Sequence, residues 1–456
     1  MVLQKYLPFS IALLLLLASC TVQKQLSNSA PQISLLQDSS LRGAHVGIAV
    51  YDPSNNKYLY QYQDDKYFVP ASNTKLFSLY AGLKWLGDSL PAIRYAETDT
   101  AIFLLPTGDP SLLHPDFPRQ PLIDLLKRTK KPVYILTMNW KDQAWGSGWS
   151  WDDYNDDYMV ERSPLPVYGN VIKWTQEQQP AKDQGFSSSP SIYSFPEVEW
   201  KLRFSTDTGM RHFFVKRKMN GNVFEVTQGS ENKASQDIPF ITYGVESAIE
   251  LLKDTVGYSL HELDPSRSAV VQALLSGHNV PFVLLHSQPV DSLFRPLMYR
   301  SDNFFAEQVL MMVSQVKLGV MNDEQIIDTL LKSDLSGLPQ KPHWADGSGL
   351  SRFNLFSPQD FIWLLNKMQR EFGLQRLKRL LPTGGSGTLR NYYRQDIGHI
   401  YAKTGSLSDV IALSGYLVTQ KDRLLIFSIL VNNHQGNVTS IRRAVESFVH
   451  GLVVGE

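Results

Sequence analysis

The sequence predicts an α+β fold that a long, mainly β insertion interrupts. Two strand patterns, Ala44–Tyr51 and Lys57–Tyr62, stand on either side of a polar turn near the start of the chain. A helical pattern follows them at Thr74–Leu86, and short strand-like runs then dominate until about residue 290. Helical and strand patterns return in the last third. The two ends of the chain therefore share a mixture of helical and strand patterns, whereas strand-like runs dominate the middle.

The helical patterns belong mostly to the last third of the chain. Thr74–Leu86 is apolar on nearly all sides, which is typical of a buried helix. The later helices are predicted at Phe304–Val316, Asp323–Leu331, Ser357–Phe372 and Ser440–Leu452. The later strands are predicted at Ile400–Lys403, Ile411–Val418 and Leu424–Val431.

The middle of the chain has its own composition. Six of the nine tryptophans lie in it, and strand-like runs such as Val133–Met138 and Phe282–His286 alternate with Gly, Pro and Asp turns. Tyr243–Lys253 is its one helical pattern. We therefore predict a main domain formed by residues 34–95 and 291–456, and an insertion formed by residues 96–290.

Composition restricts the class of protein. The 456 residues include 44 basic and 44 acidic side chains, so the chain lacks the basic surplus that is typical of a nucleic-acid-binding protein. Abundant aromatic residues argue against extended disorder. The single cysteine cannot form an internal disulfide or a cysteine-based zinc site.

That cysteine lies at the end of a targeting pattern. Lys5 precedes an apolar run, Ile11–Leu17, which is too short to span a bilayer but fits a secretory signal. Leu17-Ala18-Ser19-Cys20 resembles a bacterial lipobox, so we expect residues 1–20 to be a lipoprotein signal and Cys20 to be lipidated. A plain signal peptide is the alternative. Residues 21–33 are predicted to form a polar tether to a membrane outside the cytoplasm.

Three short patterns indicate nucleophilic catalysis. Ser72 opens the buried helix and Lys75 follows one turn later on the same face, where a neutral lysine would activate the serine hydroxyl. Burial and a second cation, Lys403, would lower the pKa of Lys75. Ser301 would pass a proton to the leaving nitrogen, and Asn303 would hold Lys75 and a substrate amide.

The Lys403 strand would bind the substrate beside the nucleophile. Thr404 would donate a hydrogen bond to a substrate carboxylate, and Gly405 would allow a ligand to approach the strand edge. The backbone N–H groups of Ser72 and Ser406 would stabilise the oxyanion. This chemistry requires no metal and no organic cofactor.

Each pattern alone is weak, because the Ser-x-x-Lys spacing occurs four times. Ser54 and Ser230 lie in Asn-rich turns, and Ser314 lies inside a helix that would use its N–H. Only Ser72 stands at the start of an apolar helix, and the chain has only one Lys-Thr-Gly, which ends a predicted strand. The three patterns in this order resemble the signature of serine β-lactamases and penicillin-binding proteins.

Flanking segments make the resemblance more specific. They are Gly108–Pro110, Trp149–Asp153, Asp346–Arg352, Leu381–Gly385 and Gly387–Leu389. Together they resemble the penicillin-binding protein 4 type, the low-molecular-mass class C D-alanyl-D-alanine carboxypeptidases/endopeptidases. The resemblance implies a transpeptidase-like fold, a five-stranded antiparallel sheet flanked by helices, and a large insertion between Ser72 and Ser301. Ser406 stands where many relatives carry threonine.

The resemblance also implies an activity and its residues. A periplasmic, lipid-anchored serine D,D-peptidase would cleave D-Ala-D-Ala termini or D-Ala cross-links of peptidoglycan, and β-lactams would acylate Ser72. Arg352 would recognise the stem-peptide side chain, together with an acidic residue of Asp152 and Asp153 that reaches over from the insertion. The alternatives are a surface ion pair for Arg352 and a simple turn for the aspartates.

Two other functions are compatible with the same fold. One is a β-lactamase or esterase. However, the chain has no Glu-x-x-Leu-Asn pattern, which would supply the glutamate for deacylation. The other is a peptidoglycan-binding protein without catalysis, which the three intact patterns disfavour.

Overall fold

A hairpin and a buried helix begin the described part of the chain. The computed structural model describes residues 35–178, 190–205, 211–263 and 281–455, and the predictions for residues 1–34 lie outside them. The first elements are the short turn Ser39–Leu41, β1 (His45–Asp52), β2 (Lys57–Tyr62), the 3₁₀ turn Ala71–Thr74 and α1 (Lys75–Trp85). Helix α1 is buried from Lys75 to Leu83, because apolar residues occupy nearly all of its faces.

The insertion consists mainly of short strands in separate sheets. Its elements are β3 (Ser89–Glu97), β4 (Ile102–Pro106), α2 (Pro121–Arg128), β5 (Val133–Ile135), β6 (Val171–Glu177), β7 (Ser191–Phe195), β8 (Lys201–Phe204), β9 (Phe214–Arg217), β10 (Val223–Thr227), β11 (Lys233–Pro239), α3 (Glu246–Val256), β12 (His261–Glu262) and β13 (Val283–Pro289). Short 3₁₀ turns lie at Trp151–Asp153 and Tyr168–Asn170. The sheet orders are β12-β5-β4-β3-β13, β11-β6-β7 and β8-β10-β9. The boundary that we placed at residue 96 falls within β3.

The last third of the chain completes the main domain. Its elements are α4 (Val290–Pro296), a π-helical turn (Leu297–Ser301), α5 (Asn303–Leu318), α6 (Asp323–Lys332), α7 (Pro358–Phe372), α8 (Leu374–Leu380), the 3₁₀ turns Gly387–Leu389 and Arg394–Asp396, β14 (Ile400–Leu407), β15 (Val410–Val418), β16 (Leu424–Asn432) and α9 (Val438–Gly455). No described helix is long and apolar enough to cross a membrane.

The two ends of the chain combine in one antiparallel sheet of order β14-β15-β16-β1-β2. Its two faces are covered by different helices because side chains alternate along each strand. Ala49 and Tyr51 pack with α1, α5 and α7, whereas Ile48 and Val50 pack with α9. The predicted α+β architecture, an antiparallel sheet flanked by helices and split by a β-rich insertion, is confirmed.

Several element boundaries differ from the sequence predictions. Strand β14 continues to Leu407, so Lys403 lies inside the strand rather than at its end. Gly405 and Ser406 are of residue types that favour loops, but pairing with β15 outweighs their low strand preference. The short helices α2, α4 and α8 were not predicted, since seven or eight residues give too few turns for a periodic signal.

Candidate active site

The turn that carries Ser72 is held against the edge strand β14. Ala71 has a φ of 47°, a left-handed conformation that is uncommon outside glycine, and its carbonyl oxygen accepts a hydrogen bond from Thr74 Oγ1 at 2.9 Å. Asn73 Nδ2 donates to Ser414 Oγ on β15 at 2.7 Å. The turn is therefore bonded both to itself and to the sheet.

Two glycines allow this close packing. A Cβ atom on Gly405 of β14 would lie 2.5 Å from the Pro70 carbonyl oxygen. On the other side, a Cβ on Gly349 would lie 1.9 Å from the Ala71 carbonyl oxygen, and Gly349 has a φ of +83°. Both positions require glycine because backbone atoms, rather than movable side chains, occupy the space.

Lys75 is fully buried and contacts Ser72. Its Nζ lies 2.9 Å from Ser72 Oγ, 2.5 Å from Asn303 Oδ1 and 2.7 Å from the Ser348 carbonyl oxygen. Burial lowers the pKa of Lys75 to about 8, although nearby carboxylates such as Asp346 act in the opposite direction. The predicted Ser72–Lys75 pair therefore exists, and with this pKa about a tenth of the amine is neutral at pH 7.

Ser301 and Asn303 come from the junction between the π-helical turn and α5. Ser301 adopts a left-handed φ of 62°, and Asp302 caps α5 by accepting from the Phe305 N–H at 3.0 Å. Lys403 is buried and its Nζ donates to Ser301 Oγ at 2.8 Å and to the Thr404 carbonyl at 2.7 Å. Burial first, and then the charge of Lys75, lower the pKa of Lys403 well below its usual value.

The outer edge of β14 carries backbone N–H donors on the side where Ser72 lies. Ala402 N–H donates away from β15, to the Pro382 carbonyl at 3.0 Å. Because N–H directions alternate along a strand and β14 pairs with β15 without a bulge, the N–H of Ser406 points to the same outer side. Ser72 lies on that side and shares a cavity with Thr404 and Ser406.

A second cleft, of about 530 Å³, lies between the insertion and the loop after Gly349. Ser72, Arg352 and Asp153 line it together, and the predicted contact of Arg352 and one aspartate with a stem peptide stays a prediction. The Arg352 guanidinium donates to the Ser408 carbonyl at 3.0 Å. Asp152 does not line this cleft; it is exposed and accepts a hydrogen bond from Ser150 Oγ at 2.9 Å.

The loop between Asp346 and Asn354 supports this arrangement. The buried Asp346 carboxylate accepts from the N–H groups of Gly349 and Ser351, both at 2.7 Å, and from Trp149 Nε1 of the insertion at 2.9 Å. The N–H of Ser348, whose carbonyl contacts Lys75, donates to Glu307 Oε1 at 2.7 Å. The loop therefore connects Lys75 to groups that lie deeper in the protein.

Those deeper groups form a buried charge cluster that sequence reasoning missed. The Arg162 guanidinium, from the insertion, lies 3.6 Å from Glu307 and 3.2 Å from Asp142 and also pairs with Asp323. Burial raises the pKa of Glu307 to about 8 and that of Asp142 to about 6. The Tyr158 carbonyl of the insertion also accepts from Asn303 Nδ2 at 2.9 Å. Nothing in the local sequence around Arg162 marked it, because two of its three carboxylate partners, Glu307 and Asp323, lie more than 140 residues away.

Comparison with known families agrees with this geometry. The model of the D-Ala-D-Ala carboxypeptidase 3 (S13) family matches residues 31–450. The chain belongs to the D-Ala-D-Ala carboxypeptidase 3 (S13) family. The predicted family and enzyme class, a serine-type D-Ala-D-Ala peptidase, are thereby confirmed.

Individual relatives are distant but cover most of the chain. A D-alanyl-D-alanine carboxypeptidase of Actinomadura sp. (strain R39) is 27% identical over 88% of this chain and 80% of its own length. The D-alanyl-D-alanine carboxypeptidase DacB of Haemophilus influenzae is 22% identical over 88% of both chains. The crystal structure of penicillin-binding protein 4 (dacB) from Haemophilus influenzae matches with a TM-score of 0.70 at 18% identity, covering 93% of this chain and 98% of the other, which confirms the fold.

Proposed function

We propose that this S13-family protein cleaves the peptide bond that follows a D-alanyl residue in peptidoglycan, through an acyl-enzyme on Ser72. The surroundings of the Lys75 amine support this proposal most strongly. Two of its three contacts are carbonyl oxygens, of Asn303 and Ser348, which can only accept hydrogen bonds. As an ammonium, Lys75 donates to all three groups; as a neutral amine, it has two N–H bonds for the carbonyl oxygens and one lone pair for the Ser72 hydroxyl, 2.9 Å away.

Acylation follows from this arrangement. The Lys75 lone pair takes the proton of Ser72 as Oγ attacks the D-alanyl carbonyl, and the N–H groups of Ser72 and Ser406 hold the oxyanion. The C–N bond then breaks, and Ser301 relays the proton from Lys75 to the leaving nitrogen. Lys403 beside Ser301 supplies positive charge for the substrate carboxylate, to which Thr404 donates.

Deacylation repeats these steps with water. Lys75 takes a proton from the water that attacks the ester, and the Ser72 oxygen recovers a proton as the carboxylic acid leaves. A β-lactam offers the same carbonyl in a strained ring, and it would acylate Ser72 without releasing a leaving group. We therefore expect β-lactams to inhibit the enzyme covalently.

Replacement of Ser72 tests the reaction. The variant Ser72→Ala should lose both release of D-alanine from a D-Ala-D-Ala peptide and covalent labelling by a fluorescent penicillin. The matched control is Ser54→Ala. Ser54 also begins a Ser-x-x-Lys pattern, but it is exposed in the turn between β1 and β2. Undiminished labelling of Ser72→Ala would overturn the assignment, and rapid turnover of a chromogenic cephalosporin by the unaltered protein would favour a β-lactamase.

We propose that the cleft between the insertion and Arg352 binds the side chain of the stem peptide. A guanidinium and a carboxylate in one cleft match a diamino acid that carries both an ammonium and a carboxylate. Asp153→Asn should lower kcat/KM about five- to tenfold for a stem peptide with a free side-chain amine and leave an acetylated peptide unaffected. Asp152→Asn is the control, and an equal loss for both peptides would contradict this role.

We further propose a lipid-anchored protein of the bacterial cell envelope, on the periplasmic side of a membrane. The proposal rests on the lipobox-like segment that ends at Cys20. Two or more acyl chains on one cysteine give stable membrane association. In fractionated cells, Cys20→Ser should shift the protein from the membrane to the soluble fraction, and unchanged fractionation would contradict the anchor.

A further inference from the structure

Glu307 is a fully buried carboxyl group of α5, one helical turn after Asn303. The i, i+4 spacing places both side chains on the same face of the helix. Asn303 Oδ1 contacts the Lys75 amine directly, at 2.5 Å, whereas Glu307 lies deeper. Removal of a carboxyl group from water costs free energy, so a buried glutamate in a mainly apolar helix indicates a specific role.

Glu307 contacts the loop that carries the Ser348 carbonyl. Its Oε1 accepts from the Ser348 N–H at 2.7 Å. The carbonyl of the same peptide unit, that of Gly347, accepts from Ser78 Oγ at 2.6 Å. This peptide unit is therefore bonded at both ends, to α1 through Ser78 and to α5 through Glu307.

The next peptide unit contacts the lysine. Its carbonyl, that of Ser348, accepts from Lys75 Nζ at 2.7 Å, and its N–H, that of Gly349, donates to Asp346 Oδ1 at 2.7 Å. The two units share the Ser348 Cα atom, so a displacement of the first unit displaces the second. The bond from Glu307 therefore helps to hold the Ser348 carbonyl against Lys75.

We propose that Glu307 is a positioning residue for the general base. Through Ser348 it keeps one N–H bond of neutral Lys75 engaged, and this directs the lone pair of the amine to Ser72. The inference rests on the proposed reaction at Ser72 and deepens it. Without this acceptor the amine is free to rotate and to present an N–H bond, instead of its lone pair, to the serine oxygen. No bond of Glu307 changes, so it affects the rate of acylation and not the products.

The same carboxyl group contributes to the charge around Lys75. Asp346 of the loop, Glu307 of α5 and Asp302 at the start of α5 favour the ammonium form, against the larger effect of burial, and the Lys403 amine of β14 repels it. Loss of the Glu307 charge therefore lowers the pKa of Lys75. The neutral amine then forms at lower pH, and the midpoint of the acylation profile moves in the same direction.

The surroundings of Glu307 limit the size of this movement. Burial raises the pKa of Glu307 to about 8, Asp346 and Asp323 of α6 act in the same direction, and Arg162 of the insertion opposes them. Glu307 and Lys75 therefore titrate in the same range, and Glu307 carries only part of a charge where Lys75 loses its proton. We expect removal of the charge to move the midpoint by about half a pH unit.

Two variants of Glu307 separate its position from its charge. The rate of acylation by a fluorescent penicillin is measured from pH 6 to 9, and folding is checked by thermal unfolding. Glu307→Gln keeps an oxygen that accepts from Ser348, so its limiting rate at high pH should stay within about threefold while its midpoint falls by about half a unit. Glu307→Leu removes the acceptor, and its limiting rate should fall about tenfold.

The matched control is Gln308→Leu. Gln308 is equally buried on the same helix, but its amide donates to the Gly108 and Ser163 carbonyls of the insertion. Its limiting rate and midpoint should equal those of the unaltered protein, even where its thermal stability falls. An equal rate loss in Gln308→Leu and Glu307→Leu would mean that any buried polar group of α5 acts in this way, and would overturn the specific role of Glu307.

Ser78→Ala decides the outcome if Glu307→Leu does not fold. It removes the other bond of the same peptide unit by a smaller change, so the limiting rate should fall about threefold with an unchanged midpoint. An unchanged limiting rate in Glu307→Leu, or in Ser78→Ala where the former does not fold, or an unmoved midpoint in Glu307→Gln, would overturn the proposal. No labelling of the unaltered protein at any pH would instead overturn the proposed reaction at Ser72.

Discussion

The main domain and the insertion contribute to the site in different ways. The main domain supplies the groups that we propose to react, Ser72, Lys75 and Lys403, and their partners at Ser301 and Asn303. The insertion contributes a backbone carbonyl at Tyr158 and the buried cation Arg162, which contacts carboxylates beneath the site. The first set carries out the proposed reaction, whereas the second contacts Asn303 and Glu307, which lie behind the reacting groups.

The largest expected effect concerns the main domain. Lys75→Met keeps most of the buried volume but removes the base, so acylation by a fluorescent penicillin should slow about 10³-fold. Lys84→Met, in the same helix but at an ion pair near the surface, should change the rate less than about twofold. A Lys75→Met rate within tenfold of the unaltered protein would mean that another group takes the proton.

The insertion should affect stability more than chemistry. Arg162→Met leaves Asp142, Glu307 and Asp323 buried without their cation, and it should lower the free energy of unfolding by about 3–5 kcal/mol in urea titrations. Arg203→Met, at an exposed position of β8, should cost less than about 0.5 kcal/mol. Equal stabilities of the two variants would show that the buried cluster does not depend on its arginine.

A substitution at the contact between β14 and the 3₁₀ turn that carries Ser72 should slow acylation with little loss of structure. Gly405→Ala places a Cβ 2.5 Å from the Pro70 carbonyl oxygen, so strand and turn must separate. Displacement of reacting groups by an ångström costs about 10²-fold in rate, and we expect acylation to slow by that order. Gly221→Ala, whose added Cβ would meet only ordinary contacts, is the control. Normal acylation by Gly405→Ala would contradict a rate role for this packing.

The pH dependence of acylation reports on Lys75 directly. The reacting form is the neutral amine, and burial lowers the pKa of Lys75 to about 8. Its neutral fraction, and with it the second-order acylation rate, should fall about tenfold per pH unit below 8 and level off above it. Rates measured between pH 6 and 9 with a penicillin that does not titrate in this range check the profile. A flat profile from 6 to 8 would mean that the lysine is neutral throughout.

The sequence predicted which residues meet at the candidate site better than it predicted their surroundings. Ser72 and Lys75 could be paired because an i, i+3 spacing on a helix places two side chains on one face. The sheet that joins the chain ends was also predictable from strand patterns and the family resemblance. Arg162 could not be found in this way, because its carboxylate partners Glu307 and Asp323 are more than 140 residues away. Asp152 and Asp153 are adjacent, and only the backbone turn decides which of them lines the cleft.

The two glycines that flank the nucleophile turn have a consequence for how the enzyme works through its cycle. With Gly405 against Pro70 on one side and Gly349 against Ala71 on the other, the backbone around Ser72 is packed closely against backbone on two sides. Substrate, acyl group and water must therefore adjust to the serine, rather than the reverse. The free and acylated enzymes should then superimpose at this turn, so that motion during turnover is confined to the ligands and to the side chains lining the clefts.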